Sequence, residues 1–261
     1  MVVLVPHKVV VSLMRDDVVN QLWLSGTLLT FSISNYVIVS SVPNHISFVL
    51  YHRKPILSAT TQQDIFDYCF GQASYDQMTA EQLIDRWFNP EHDPNFDEDL
   101  RKRFGNAVAA ARRGVMDSWS STARGSLALI MLFDQLPRNI YRGTKGAFAS
   151  DHRALETTTA GIKRGFAEEL DLVERIFFFI PLEHAEDIRV QDECIKQFKA
   201  LDKIAPSEMK SITQACMQEN AAHREVIQRF GRFPQRNAAL GRTSTEEELK
   251  WLAAHHGWGQ K

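Results

Sequence analysis

Residues 126–136 have the sequence SLALIMLFDQL and are apolar on nearly every side of a helix. A helix that is apolar all round is buried in the core of a protein. Pro137 follows directly, and a proline within a helix removes a backbone hydrogen bond and breaks or kinks the helix. We therefore expect a central buried helix that ends at Pro137.

Helical periodicity extends outward from this segment over most of the chain. From about residue 61, apolar residues recur at helical spacing, and the run IFFFI at residues 176–180 predicts a second core helix. The predicted helices cover residues 83–88, 96–115, 126–136, 150–166, 171–180, 186–201 and 206–230, and a last one is capped by residues 244–247. About eight helices with short connections predict an all-α fold, an antiparallel helical array. No tetratricopeptide repeat consensus recurs along the sequence.

The first sixty residues differ from the helical part. Residues 18–52 contain no Lys, Arg, Asp or Glu and are rich in Val, Ile, Ser, Thr and aromatic residues. Three interpretations remain open, namely an irregular, poorly ordered extension, a membrane anchor formed by residues 18–51, and a pair of strands. A membrane span needs about 20 predominantly apolar residues, and polar side chains dilute this stretch. We expect an irregular N-terminal extension over residues 1–60 and a helical domain over residues 61–261.

Composition and charge exclude several classes of protein. Hydrophobic residues make up 44% and charged residues 24% of the 261 residues, which excludes wholesale disorder. The net charge of -2 lacks the basic excess of a nucleic-acid-binding protein, so no nucleic-acid partner is expected. Cys69, Cys194 and Cys216 are widely spaced and odd in number, which predicts free thiols in the reducing cytoplasm and excludes a disulfide scaffold or a zinc ribbon.

Three polar clusters interrupt the apolar helices. They are residues 133–143 (FDQLPRNIYRG), residues 180–187 (IPLEHAED) and residues 229–242 (RFGRFPQRNAALGR). The first and third clusters each place an Arg-Asn pair just after a proline-broken helix end. A guanidinium presents a fixed fork of donors that suits a carboxylate or a phosphate. The clusters therefore contain the candidates for a functional site.

Two explanations fit these clusters. The arginines could lock helices together by pairing with nearby carboxylates, or they could converge on a pocket for a small anionic metabolite. In the pocket hypothesis Arg138, Arg232 and Arg236 bind the anion, and Asp134 and Asn139 orient them. The catalytic candidates, for proton transfer, are Glu183 and His184. The ligand-binding candidates are Asp134, Gln135, Arg138, Asn139, Arg142, Glu186, His223, Arg232, Arg236, Asn237 and Arg242.

The alternative function is a non-catalytic module that binds a protein partner along a concave helical face. A membrane is a partner only if residues 18–51 insert. No metal site is expected, because neither the Glu-x-x-His pairs of a di-iron bundle nor a His-Glu-x-x-His zinc motif occurs. No cofactor is expected either, since the chain has no nucleotide-binding glycine motif.

The three clusters together resemble the DUF924 family, a domain of unknown function found in bacteria and eukaryotes. The similarity runs in order from about residue 65 to residue 257. It implies an all-α domain of the tetratricopeptide-like class. The family name implies no reaction, so the function stays a hypothesis.

The resemblance also implies which positions are characteristic of the family. Those outside the candidate list above are Phe148, Asp151, Pro181, Gln191, Gly231, Phe233, Pro234 and Gly241. One position departs from the family pattern, because Gln235 stands where the family usually has histidine. Glutamine can replace a histidine that donates a hydrogen bond, but it cannot replace one that titrates near neutral pH.

Overall fold

The computed structural model of the protein describes residues 60–70, 82, 87 and 95–255, together with the backbone of five strands within residues 2–52. The chain divides into two compact units, residues 1–59 and residues 60–261. The α-helices of the second unit are α1 (Gln62–Cys69), α2 (Phe96–Arg112), α3 (Ala123–Phe133), α4 (Gln135–Ile140), α5 (Asp151–Lys163), α6 (Leu172–Glu183), α7 (Ile188–Ile204), α8 (Lys210–Phe230), α9 (Asn237–Leu240) and α10 (Glu246–Ala254). Short 3-10 helices cover Asp117–Ser121, Lys145–Ala147, Phe166–Glu169, Ser207–Met209 and Pro234–Arg236.

The first unit contains a five-stranded antiparallel sheet, where the sequence predicted an irregular extension. Its strands are β1 (Val2–Val5), β2 (Lys8–Val11), β3 (Leu29–Ile33), β4 (Tyr36–Ser40) and β5 (Ser47–His52), in the order β2-β1-β5-β4-β3. β-Branched and aromatic residues dominate these segments and favour extended backbone. The strand interpretation that the sequence left open therefore accounts for these segments, and the residues between them lie outside the described part.

The anchor interpretation falls largely on residues outside the described part. In the described residues, every helix is too short or too polar to cross a bilayer.

The centre of the second unit is α3, as predicted from its apolar sequence. Ten of its eleven residues are buried, and the helix packs against α1, α2, α5 and α6. The all-α prediction for this unit is confirmed over residues 60–70 and 95–255. The predicted helix over residues 83–88 lies mostly outside the described residues, although Trp87 is helical and buried. The tetratricopeptide-like class stays a prediction.

The predicted end of the central helix at Pro137 is wrong. The helix α3 ends at Phe133, where the backbone of Asp134 departs from helical geometry with φ -114° and ψ -72°. Pro137 is instead the third residue of α4, and the first residues of a helix have no intrahelical N–H bond to lose. The break therefore places Asp134 at the junction of two helices.

Two other helix ends complete the framework of the site. Helix α6 continues through Pro181 to Glu183, three residues beyond the predicted end at residue 180, so that its last turn brings His184 to the helix C-terminus. Helices α7 and α8 pack as an antiparallel hairpin joined by residues 205–209. Gly231, with φ 69°, then ends α8 in the left-handed conformation that suits glycine.

Candidate functional site

A cavity of about 320 Å³ lies where three segments of the helical unit meet. These segments are the start of α5, the end of α6 with the turn that follows, and residues 236–240. The walls are formed by Phe148, Asp151, His152, Leu155, Pro181, His184, Ala185, Glu186, Asp187, Arg236 and Leu240. Small-molecule sites enclose roughly 300–1,000 Å³, so this cavity suits a small ligand.

Asp134 is a fully buried carboxylate that contacts the cavity-lining His184. Its Oδ1 accepts a hydrogen bond from Nη2 of Arg138 at 3.0 Å, and its Oδ2 accepts one from Nε2 of Gln135. Burial alone would raise the pKa of Asp134, but the charge of Arg138 and the hydrogen bonds from Arg138 and His184 outweigh burial and lower that pKa below its ordinary value. Asp134 is therefore ionised at neutral pH.

His184 is held in one tautomer by this carboxylate. Its Nδ1 lies 2.7 Å from Oδ1 of Asp134, and an ionised carboxylate can only accept, so the Nδ1 hydrogen is donated to Asp134. The Nε–H of Arg138 is directed at the same Nδ1 at 3.1 Å and can donate to it only when Nδ1 carries no hydrogen, so Asp134 and Arg138 compete for this nitrogen. Burial and the charge of Arg138 lower the pKa of His184, so the ring is neutral at pH 7. The lone pair is therefore on Nε2.

The Nε2 atom of His184 has no hydrogen-bond partner among the described residues, and it belongs to a ring that lines the cavity. The described hydrogen bonds and ion pairs of His184 all involve Nδ1, and Nε2 is not among the fully buried polar atoms without a partner. Because His184 lines the cavity, this nitrogen can accept a proton from a molecule bound there.

Asp151 is the first residue of α5 and joins two arginines from distant parts of the chain. Its Oδ2 accepts hydrogen bonds from Nη2 of Arg138 at 2.9 Å and from Nη1 of Arg236 at 3.2 Å. Each of these arginines precedes an asparagine, so the two similar Arg-Asn pairs of the sequence converge on one carboxylate. Burial and the charge of Arg138 lower the pKa of Arg236 to about 10, which leaves its guanidinium charged at neutral pH.

The guanidinium of Arg236 packs against two aromatic rings. Its central carbon is 5.0 Å from the ring centre of Phe148 and 4.4 Å from that of Phe233. The described residues give this side chain a single hydrogen bond, the one from Nη1 to Asp151. Its Nε and Nη2 have no partner there and are not fully buried. Since Arg236 lines the cavity, these donors can reach a ligand.

A sequence profile described as bacterial protein of unknown function, DUF924, matches residues 65–256. The chain belongs to this family. It is also similar to the solved structure of the protein of unknown function ATU0120 from Agrobacterium tumefaciens, with 34% sequence identity and a TM-score of 0.61. That match covers 74% of this chain and 97% of the Agrobacterium chain. No curated protein matches the chain.

Two predicted ligand-binding arginines of the DUF924 domain lie in two-point ion pairs away from the cavity wall. Arg142 donates to both carboxylate oxygens of Asp97, at 2.7 and 3.0 Å. Arg232 does the same to Glu248, at 2.7 and 2.8 Å. The pairs join segments 45 and 16 residues apart, respectively. Both have the geometry of the interhelical lock, one of the two explanations that the sequence left open.

Glu186 lines the cavity, but its carboxylate is already engaged. Arg242 donates to both oxygens at 2.8 and 3.0 Å, and the backbone N–H of Phe233 donates to Oε1 at 2.8 Å. Burial opposes ionisation of Glu186, but the hydrogen bonds from Arg242 and Phe233 outweigh it and lower the pKa. Glu186 and Arg242 thereby tie the turn that carries Arg236 to the start of α7.

Glu183 and His223 form a second buried group next to His184. The carboxyl group of Glu183 accepts a hydrogen bond from Nδ2 of Asn220, and burial together with the charge of Glu219 raises the pKa of Glu183 to about 8. Nδ1 of His223 lies 2.9 Å from the backbone oxygen of Glu219, and burial lowers the pKa of His223 to about 3. The rings of His184 and His223 are 6.3 Å apart. Both groups are uncharged at pH 7, and neither lines the cavity.

The three predicted amide side chains take part in contacts at helix ends. Gln135 contacts Asp134 as described above, and Asn139 donates to the backbone oxygen of Gln135 at 2.9 Å and accepts from Arg142. Asn237 donates to the hydroxyl of Ser244 at 3.0 Å. None of the three is among the cavity-lining residues.

Several residues of the cavity were outside the predicted site. Asp151 and Phe148 entered the sequence analysis only as residues characteristic of the family, and the lining residues His152, Leu155 and Leu240 carried no signal at all. His152 and Leu240 are exposed and Leu155 is half-buried, so in the sequence they resemble ordinary surface positions of helices. Among residues 60–70 and 95–255, no three His, Cys, Asp or Glu side chains group as a metal site.

Gln235, which replaces the usual histidine of the family, is not a lining residue. Its Oε1 is buried without a hydrogen-bond partner among the described residues. The consequence of this replacement for activity stays a prediction.

Proposed function

We propose that the cavity of this DUF924 domain binds a small anion through Arg236 and that His184 transfers a proton to or from the bound molecule. The observation that carries the proposal is the incomplete hydrogen bonding of Arg236. A buried charge without enough partners is costly, and an anionic ligand would supply the missing acceptors.

The comparison with neighbouring arginines supports this assignment. Arg142, Arg232 and Arg242 each make two hydrogen bonds to one carboxylate, whereas Arg236 makes one and shares its acceptor with Arg138. The first three arginines have the partners expected of structural ion pairs. Arg236 has a charge, a fixed plane and unused donors at the wall of a cavity.

His184 supplies the second part of the proposed function. Its ring is neutral and lines the same cavity, its Nδ1 hydrogen is bonded to Asp134, and its Nε2 has no hydrogen-bond partner among the described residues. This combination is that of a general base whose orientation is set by a buried carboxylate. Glu183 is a weaker candidate, because its carboxyl group is bonded to Asn220 and does not line the cavity.

The distribution of apolar surface gives no support to the alternative of a protein-interaction module. In the part of the chain that the structure describes, the exposed large apolar side chains are Val115, Ile204, Leu240 and Leu249, and they lie on four different segments. A groove for a partner helix would need such residues side by side.

The test is a thermal-shift screen of the full chain against carboxylated and phosphorylated metabolites. A ligand at 100 times its dissociation constant adds about 2.7 kcal/mol to the free energy of unfolding. We expect a selective shift that is lost in Arg236→Gln. This variant should fold, because Asp151 keeps its ion pair with Arg138.

The matched control is Arg142→Gln, which removes a structural arginine outside the cavity. The ligand-induced shift should persist in this variant even though its melting temperature is lower. A shift that persists in Arg236→Gln, or no shift with any compound, would overturn the proposal.

A further inference from the structure

We infer that the ligand of this cavity is a small monocarboxylate with an apolar body, and not a phosphate. This inference rests on the proposed function, and it comes from the charges, donors and apolar surfaces around Arg236.

The charge balance of the cavity favours a single negative charge. The wall contains one arginine, Arg236, and three carboxylates, and each carboxylate is already paired with an arginine. Asp151 pairs with Arg138 and Arg236, while Glu186 and Asp187 pair with Arg242 and Arg189. A dianionic phosphate would bring a second negative charge next to these carboxylates without a second free cation to balance it.

The donors that usually bind phosphate are already in use here. Phosphate sites commonly use several cations or the N–H groups at the start of a helix. Helices α5 and α7 begin at the cavity, and each has an aspartate there: Asp151 is the first residue of α5, and the side chain of Asp187, the N-cap of α7, accepts from the backbone N–H of Arg189 at 2.8 Å. These two negative side chains repel an anion at both helix starts. The free donors of permanent positive charge at this wall are therefore those of one guanidinium, Arg236.

The free edge of Arg236 matches a carboxylate. Nη1 is occupied by Asp151, so the remaining adjacent donors are those of Nε and Nη2. These two groups form the side of the guanidinium fork that gives two parallel hydrogen bonds to the two oxygens of a carboxylate. The rings of Phe148 and Phe233 fix the guanidinium plane, which reduces the entropy lost on binding.

The rest of the wall suits an apolar body. Five lining side chains are apolar: Phe148, Leu155, Pro181, Ala185 and Leu240. They line an open pocket of about 320 Å³, which has space for one ring or a short hydrocarbon chain. Burial of such a body adds affinity that acetate or inorganic phosphate alone lacks.

The experiment is isothermal titration of the full chain at pH 7.5 with matched probes. Benzoate and phenyl phosphate share one ring but carry a monoanionic carboxylate and a mainly dianionic phosphate. Benzenesulfonate is a monoanion without carboxylate geometry, and acetate is a carboxylate without the apolar body. Inorganic phosphate lacks both the carboxylate group and the apolar body. We expect benzoate to bind at least about tenfold more tightly than each of the other probes, or about 1.4 kcal/mol.

Two variants of Arg236 distinguish the contribution of its positive charge to binding from that of its two parallel N–H donors. Arg236→Gln should abolish benzoate binding, and Arg236→Lys should weaken benzoate more than benzenesulfonate, because lysine keeps the charge and loses the fork. Circular dichroism and melting temperature verify that both variants fold.

The outcomes distinguish this inference from the proposed function. If phenyl phosphate binds more tightly than benzoate and this binding is lost in Arg236→Gln, the carboxylate inference is wrong and the anion site stands. If no probe binds, or if binding survives in Arg236→Gln, both are wrong.

Discussion

His184 and Asp134 lie 2.7 Å apart, from Nδ1 to Oδ1, although fifty residues of chain separate them. Asp134 occupies the break between α3 and α4, and His184 follows the last turn of α6. The pair therefore joins the ends of two core helices, and it fixes which nitrogen of the imidazole carries the hydrogen. This contact holds two helix ends together and also shifts the pKa of His184, and these two effects can be measured separately.

Replacement of Asp134 by asparagine should lower the pKa of His184 further. The charge of Asp134 and its hydrogen bond favour the protonated imidazole, while burial and Arg138 oppose protonation. Removal of the negative charge leaves only the opposing contributions. The measurement is a pH titration of His184 by nitrogen-15 NMR in the wild type and in Asp134→Asn, with His184→Gln to assign the signal.

The same spectra test the tautomer. In the wild type at pH 7, Nδ1 should carry the hydrogen and Nε2 should be unprotonated. A proton on Nε2, or a pKa that rises in Asp134→Asn, would contradict the arrangement described for the cavity.

The sequence predicted the core of this arrangement for a physical reason. Asp134 and Arg138 directly follow the most apolar helix, and polar groups in such a position must be partnered because their burial is costly. Glu183 and His184 follow the second apolar run in the same way. These residues could be identified from local sequence because their burial is set by their own helices.

The rest of the site could not be identified, because an arginine gives no local sign of the carboxylate that it will contact. Arg142 pairs with Asp97, forty-five residues away, and Arg236 pairs with Asp151, eighty-five residues away. The sequence analysis included both arginines among the ligand-binding candidates. Only the tertiary structure shows that Arg142 forms an ion pair and that Arg236 lines the cavity. Strands in the first unit were one of three open interpretations of the sequence, although three of the four strand pairings join consecutive strands.

Arg142→Gln should lower the free energy of unfolding by about 1–2 kcal/mol, because it leaves the partly buried Asp97 without its two-point partner. Arg229→Gln removes an exposed ion pair with Glu247 and should change stability by less than about 0.5 kcal/mol. Urea unfolding of the two variants measures the difference. Equal effects would show that exposure does not determine the strength of these pairs.

Glu183→Gln should change how stability depends on pH. Burial raises the pKa of Glu183 in the folded protein to about 8 from an ordinary value of 4.5. Below pH 4.5 the carboxyl group is protonated in both states, and between pH 4.5 and 8 only the unfolded chain releases the proton, so stability falls as the pH rises. Glutamine cannot ionise and retains a neutral side chain beside Asn220.

The variant should therefore gain stability relative to the wild type as the pH rises from 5 to 8.5, by on the order of 1–3 kcal/mol. Melting temperatures across this range provide the measurement. Glu225→Gln, a change at an exposed position of the neighbouring helix α8, is the control for replacing a glutamate by glutamine. A constant offset for Glu183→Gln would show that Glu183 is ionised in the folded protein.

Two glycine-to-alanine changes test whether α3 must pack closely to hold Asp134 in place. At Gly125 in α3, an added β-carbon would overlap the backbone oxygen of Trp119 and lie 2.9 Å from the hydroxyl of Thr122. Neither the backbone nor this helix cap can move without displacing α3, so Gly125→Ala should destabilise the protein by about 1–3 kcal/mol. At Gly105 in α2, the nearest atom is Cγ of Arg101 at 4.0 Å, and Gly105→Ala should stabilise it by about 0.5–1 kcal/mol through helix propensity.

The position of Asp134 gives this pair of variants a second measurement. Because Asp134 follows α3 directly, a displacement of that helix should also perturb the NMR signal of His184 in Gly125→Ala. Gly105→Ala leaves α3 unchanged and should give the wild-type signal. If Gly125→Ala lowers stability but keeps the His184 signal, the Asp134–His184 contact does not depend on the packing of α3, and the carboxylate is held instead by Arg138 and Gln135.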